Sequence, residues 1–116
     1  MFLNLAHTKL DLFSLSQDLT VKIFTLTRAF PKDEMFTLGT QMRRAALSVN
    51  LNFAEGSSRL SERDKKRFFE ISRSSLIELD AALDIAKRML LVPEEQHDQL
   101  GPIIISCFRI LSKLLK

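Results

Sequence analysis

The side chains able to do chemistry are few in this sequence, and they do not gather. Its 116 residues hold two histidines, His7 and His97, and a single cysteine, Cys107. Neither an HExxH run nor a pair of closely spaced cysteines occurs, so no metal site is signalled. Ser57, Ser58, Ser72, Ser74 and Ser75 would need a base to act as nucleophiles, and no histidine is near them in sequence. Glu94 and Glu95 are adjacent and so point in different directions on a helix, which argues against a carboxylate pair. There is no glycine-rich phosphate fingerprint, and Gly56-Ser57-Ser58-Arg59 reads first as a turn. The expectation is a protein without enzymatic activity, cofactor or metal.

Cations are more suggestive. Arg59, Arg63, Lys65, Lys66, Arg67 and Arg73 fall close together, against Glu62, Asp64 and Glu70. With a formal charge of +3 and a pI near 9.3, these six make a candidate rim for the phosphates of RNA or DNA, bound without much sequence preference. Phe68 and Phe69 are assigned to packing rather than to stacking on bases. The plainer alternative is a solvated helix face with pairs such as Glu62 and Lys66.

Upstream of the cations, residues 41–59 carry three stripes at helical spacing. Leu38, Met42, Ala45, Val49 and Phe53 form one apolar face, while Phe36, Leu47, Leu51 and Ala54 form another that is nearly opposite. A lone bundle can bury one such face fully, so Phe36, Leu47 and Leu51 are candidates for a self-association interface. Between the faces runs a polar strip of Gln41, Arg44, Ser48, Asn52, Glu55 and Arg59. If the chain folds back near residue 60, Arg44 comes level with Glu78, Ser48 with Ser75, and Glu55 with Arg67. The expected result is a structural polar network of Arg44, Ser48, Asn52, Glu55, Ser75 and Glu78, with Arg44 and Glu78 as its ion pair.

Amphipathic helices position these groups. Thr8 and Asp11 have capping-box spacing ahead of the stripe Leu12, Leu15, Leu19, Ile23, Leu26 and Phe30, which Pro31 ends. A second helix runs to Gly56, where glycine can take the left-handed conformation that closes helices. Ser61 and Asp64 cap a third, with a core face of Phe68, Ile71, Ser75, Leu79, Ala82 and Ala86. Pro93-Glu94-Glu95 opens a fourth, with Leu100, Ile104, Cys107, Phe108, Leu111 and Leu115 inward and a kink or restart expected at Pro102. The helices span about residues 9–29, 34–56, 61–91 and 94–115 of one domain. Short connections favour an all-α, antiparallel up-down-up-down four-helix bundle.

Composition agrees with that class. Hydrophobic residues make up 46% and charged residues 27%, with only 3 Gly and 3 Pro, which excludes disorder. Apolar runs such as Ile103-Ile104-Ile105 are far short of the ~20 residues of a spanning helix, and no secretory signal is visible. Cys107, among Ile104, Phe108 and Leu111, reads as a buried apolar thiol in a reducing compartment. A cytoplasmic location is expected.

Four blocks of sequence carry a family resemblance: residues 30–34 (Phe-Pro-Lys-Asp-Glu), 41–49 (Gln-Met-Arg-Arg-Ala-Ala-Leu-Ser-Val), 52–59 (Asn-Phe-Ala-Glu-Gly-Ser-Ser-Arg) and 72–79 (Ser-Arg-Ser-Ser-Leu-Ile-Glu-Leu). Together they resemble the four-helix-bundle family first described as open reading frames within intervening sequences of bacterial 23S ribosomal RNA genes. The resemblance implies a ring-like homopentamer. It also implies a fold similar to the accessory proteins of diversity-generating retroelements, which bind a reverse transcriptase and nucleic acid. The chain departs from the family pattern at Asn50, where proline is common, and at Ser72 and Ser74, where alanine and glycine are common. Two functional classes follow: an oligomeric RNA- or DNA-binding protein, or an interaction scaffold for a partner protein such as a reverse transcriptase.

Overall fold

The computed structural model describes residues 1–6 and 10–116. The capping role of Thr8, the helix start near Lys9, and His7 lie outside the described residues. The first helix, α1, spans Asp11–Arg28 and buries Leu12, Phe13, Ser16, Leu19, Ile23, Leu26 and Thr27. After Pro31 a second helix, α2, covers residues 32–57. It starts as Lys32–Glu34, passes through a π-helical stretch Met35–Gly39, and continues as Thr40–Ser57. The wide turn is held by a bond from Thr40 Oγ1 to the Met35 carbonyl at 3.1 Å. A 3.6-residue count does not run through a π turn. The alignment of Phe36 with Leu47 and Leu51 therefore loses its basis.

Helix α3 spans Glu62–Arg88 and opens at Ser61, whose Oγ accepts the Asp64 amide at 3.1 Å. It stops three residues earlier than the hydrophobic pattern suggests. Leu90 takes a left-handed φ of 61°. Its amide donates to Lys87 and that of Leu91 to Ala86, each at 3.0 Å, which is the Schellman closure that glycine ordinarily occupies. Helix α4 then spans Glu94–Leu114 and continues without a break through Pro102, so no restart occurs. Pro102 and Asp98, whose carbonyl lacks a proline N–H to accept, both face solvent, where water can satisfy it.

Each helix packs against two neighbours: α2 on α3 most extensively, then α1 on α2, α3 on α4 and α1 on α4. α2 and α4 thus occupy diagonal corners of an antiparallel bundle measuring 43 × 31 × 23 Å. The core runs from Phe13 and Phe53 through Leu19, Leu79 and Met42 to Val92. On α3 the buried residues are Phe69, Ser72, Ser75, Leu76, Leu79, Ala82, Leu83 and Ala86. Ser75, Leu79, Ala82 and Ala86 are thus buried as expected, but the buried face is rotated toward Phe69, Ser72, Leu76 and Leu83, so Ile71 is exposed and Phe68 half-buried. Phe108 of α4 is likewise at the surface. Small residues set this rotation. Ser72 Oγ donates to the Val49 carbonyl at 2.6 Å, and a Cβ on Gly56 would lie 2.9 Å from Phe68 Cβ and from the Phe69 ring. Gly56 is inside the helix without a positive φ. Close approach to α3, not left-handed closure, explains it.

Polar contacts fix the register of three seams. Asn50 Nδ2 of α2 donates to Ser16 Oγ at 2.9 Å and to the Phe13 carbonyl at 3.3 Å. Farther along, Arg43 Nε donates to Thr27 Oγ1 at 2.8 Å. Ser48 and Ser75 hydroxyls meet at 2.6 Å between α2 and α3. Arg73 Nε reaches Ser112 Oγ at 2.9 Å between α3 and α4. Every one of these groups would be expensive to bury alone. Among the described residues no buried side-chain polar atom lacks a partner.

Candidate nucleic-acid interface and self-association face

The α2–α3 turn, the start of α1 and the end of α4 share one end of the bundle, because neighbouring helices are antiparallel. The six expected cations do not behave alike there. Arg59 pairs with Glu55 one turn back, and its guanidinium lies 4.7 Å from the centre of the Phe68 ring. The Arg67 guanidinium lies 5.6 Å from the same ring. Lys65 is 4.0 Å from Glu62. Arg63 and Lys66 are exposed and have no hydrogen bond or ion pair among the described residues. Arg73 is set apart, with its guanidinium 4.5 Å from the Phe108 ring and its Nε on Ser112. It braces α3 against α4 rather than joining a phosphate rim.

Two cations that sequence reasoning passed over belong at this end. The Arg73–Ser112 contact sets the antiparallel register of α3 and α4, so exposed Lys113 and Lys116 come level with about residues 72 and 69 of α3. Glu70 and Leu115 line one shallow depression there. The signal was available in the sequence, since an up-down-up-down order places the end of the fourth helix beside the start of the third. Phe68 also differs from its assignment to packing. It is half-buried and holds two guanidinium groups in place by cation–π attraction.

The polar strip resolves into separate pieces. Asn52 Nδ2 donates to Ser48 Oγ and to the Ser48 carbonyl, both at 2.9 Å, and Ser48 meets Ser75. Glu55 turns to Arg59 instead of Arg67. Arg44 and Glu78 are exposed and form no ion pair among the described residues, which corrects the expected bridge. The short serine pair occupies the seam, and the longer side chains one turn farther along both helices point outward into water. Near them Leu47 is 38% and Leu51 58% exposed, and Phe36, within the π turn, is 68% exposed.

Cys107 is fully buried, and burial pushes its thiol up to about 11. It is inert as a nucleophile at neutral pH. Among the described residues no group of three or more His, Cys, Asp or Glu side chains is placed to hold a metal, and no helix is long and apolar enough to cross a membrane.

Residues 8–113 match the family model of the 23S rRNA-intervening sequence protein. The chain belongs to that family. In fold it is similar to a crystal structure of a protein of unknown function from the S23 ribosomal protein family of Bacteroides thetaiotaomicron. The TM-score is 0.84 at 19% identity, covering 90% of this chain and 98% of that one. No curated protein matches. For this member of the intervening sequence family, the match therefore supplies the helical bundle and leaves the ligand to be argued from the residues.

Proposed function

We propose that this intervening sequence protein is a non-enzymatic, self-associating bundle that binds RNA through the end formed by the α2–α3 turn and the C-terminus of α4. The observation that carries the reading is the uncommitted charge there. Arg63 and Lys66 have no partner among the described residues, Arg67 is held only against Phe68, and Lys113 and Lys116 join them from another helix. Such cations displace the counterions condensed on a phosphate backbone, and repetition around an assembly such as the homopentamer multiplies a small charge per subunit. Glu62, Asp64 and Glu70 oppose the field, so binding is weak and salt-sensitive. The outer side of α2, with Leu51 more than half exposed, supplies the surface for self-association.

Filter binding of single-stranded RNA across a salt series tests the proposal. The logarithmic slope is about −0.7 per phosphate neutralised. Replacing Arg63, Lys66 and Lys113 by Gln should flatten the slope without altering helicity, whereas Arg73→Gln should leave it unchanged. No retention at low salt, or retention indifferent to the triple substitution, would shift the weight to a scaffold for a partner protein.

A further inference from the structure

Two apolar surfaces of the bundle are left without a partner in the single chain, and they have complementary shapes. The first is convex. Leu47 and Leu51, one helical turn apart, form a ridge on the outer side of α2. The second is concave. Between α3 and α4 lies a groove of about 360 Å³ whose floor is Leu76 and Ile104 and whose walls include Ile77, Ile105 and Phe108. Gly101 opens it further, since a Cβ built there meets nothing within 4 Å. Charge adds a direction. Arg44 lies one turn before Leu47, and Asp80 lines the groove from α3 as Arg109 does from α4; neither Arg44 nor Asp80 has an ion pair among the described residues.

We propose that the Leu47–Leu51 ridge of one copy seats in the α3–α4 groove of a second copy, with Arg44 meeting the partner's Asp80. The proposal rests on the self-association reading above and specifies which surfaces meet. A helix laid in an apolar groove is anchored by side chains at i and i+4, the spacing that Leu47 and Leu51 provide. Because α2 and α4 sit at diagonal corners, ridge and groove face different ways, and each copy can hold one neighbour at each. The contact is head-to-tail, and it propagates until it closes into a ring or extends as a filament. Pairing of two α2 ridges would instead leave Ile105, 51% exposed, and Phe108 in water.

Sedimentation of paired variants tests this, using Leu51→Asp to disable the ridge and Ile105→Asp to disable the groove. Both side chains are at the surface, so the folded chain should survive, and circular dichroism checks that it does. Each variant alone is expected to sediment as a monomer. An equimolar mixture should form a heterodimer and nothing larger, since one intact ridge and one intact groove remain. If Ile105→Asp assembles like the natural sequence while Leu51→Asp does not, ridge pairs with ridge; self-association then stands and this proposal is overturned. A monomeric natural chain would overturn both. Charge exchange checks the orientation: Arg44→Asp and Asp80→Arg should each weaken assembly by about tenfold, and the double variant should regain it. Failure of that rescue overturns the Arg44–Asp80 pairing.

Discussion

Gly56 and Gly101 are both helical glycines, and the structure assigns opposite signs to their replacement by alanine. In a helix interior alanine is favoured over glycine by ~1 kcal/mol. At Gly101 nothing offsets this, because the new methyl enters open space. At Gly56 the methyl would come within 2.9 Å of Phe68 Cβ and of the Phe69 ring. Phe69 cannot yield easily, being buried and stacked on Phe53 with ring centres 5.7 Å apart. Overpacking of this kind costs ~1–3 kcal/mol, and Phe68 would carry the Arg59 and Arg67 guanidiniums with it if it moved. The net expectation is a loss of up to ~2 kcal/mol for Gly56→Ala and a gain of up to ~1 kcal/mol for Gly101→Ala. Urea unfolding in a Leu51→Asp background, which removes the inferred contact between copies, isolates these effects from assembly. A Gly56→Ala chain that gains stability as Gly101→Ala does would refute the claim that close approach of α2 to α3 explains this glycine.

Three other outcomes are expected. Leu90→Gly should stabilise the chain by up to ~1 kcal/mol, since a side chain 91% exposed is exchanged for relief of the left-handed φ; thermal melts read the gain. Asn50→Ala removes two bonds from the α1–α2 seam and leaves buried Ser16 with a reduced set of partners, at a cost of ~1–3 kcal/mol by urea unfolding. For Cys107 the folded thiol titrates at about 11 against an ordinary 9.0. A raised pKa favours the neutral thiol in the fold, so this group's contribution to stability should be level below pH 9 and fall between pH 9 and 11 as the unfolded chain ionises first. Cys107→Ala should lack that fall, and alkylation of the native thiol at pH 8 should await unfolding.

Periodicity made the bundle legible because each helix has one dominant apolar stripe, and the turns carry Pro31, Ser61 and Pro93 where the chain must change direction. Rotation of a helix about its axis is a finer quantity. For α3, Ser75, Leu79, Ala82 and Ala86 are buried as the pattern suggests, but the pairs Phe68–Ile71 and Phe69–Ser72 differ by a single residue, and the first is the more apolar. What selects the second is the small volume at Gly56 and Ser72, which lets α2 and α3 approach until Ser72 bonds the Val49 carbonyl. That choice is made between helices and is invisible within either one. The π turn at residues 35–39 was hidden for a related reason. Its sequence, Met-Phe-Thr-Leu-Gly, carries no proline or capping signal, and the turn is recognisable from the Thr40 bond to the Met35 carbonyl.

The same distinction explains the cationic end. Clustering in sequence correctly gathered Arg59 to Arg67 near one turn, but Arg73 is 11 positions into the helix from Glu62, or ~16 Å along its axis at 1.5 Å per residue. What sets it apart is less this distance than its partners, since Ser112 and Phe108 occupy its guanidinium where it lands. Lys113 and Lys116 are far from the turn in sequence and reach the same end through topology. An interface assembled from two helices in this way depends on their register, which the Arg73–Ser112 bond helps to set. Arg73→Ala should thus weaken RNA retention only by loosening α4, with the salt slope preserved while Lys113 and Lys116 remain in place. Lys113→Gln with Lys116→Gln should flatten the slope while leaving the unfolding midpoint unchanged. The two variants separate charge from scaffold: an Arg73→Ala slope as flat as that of the double lysine variant would place Arg73 among the phosphate-binding cations and refute its role as a brace.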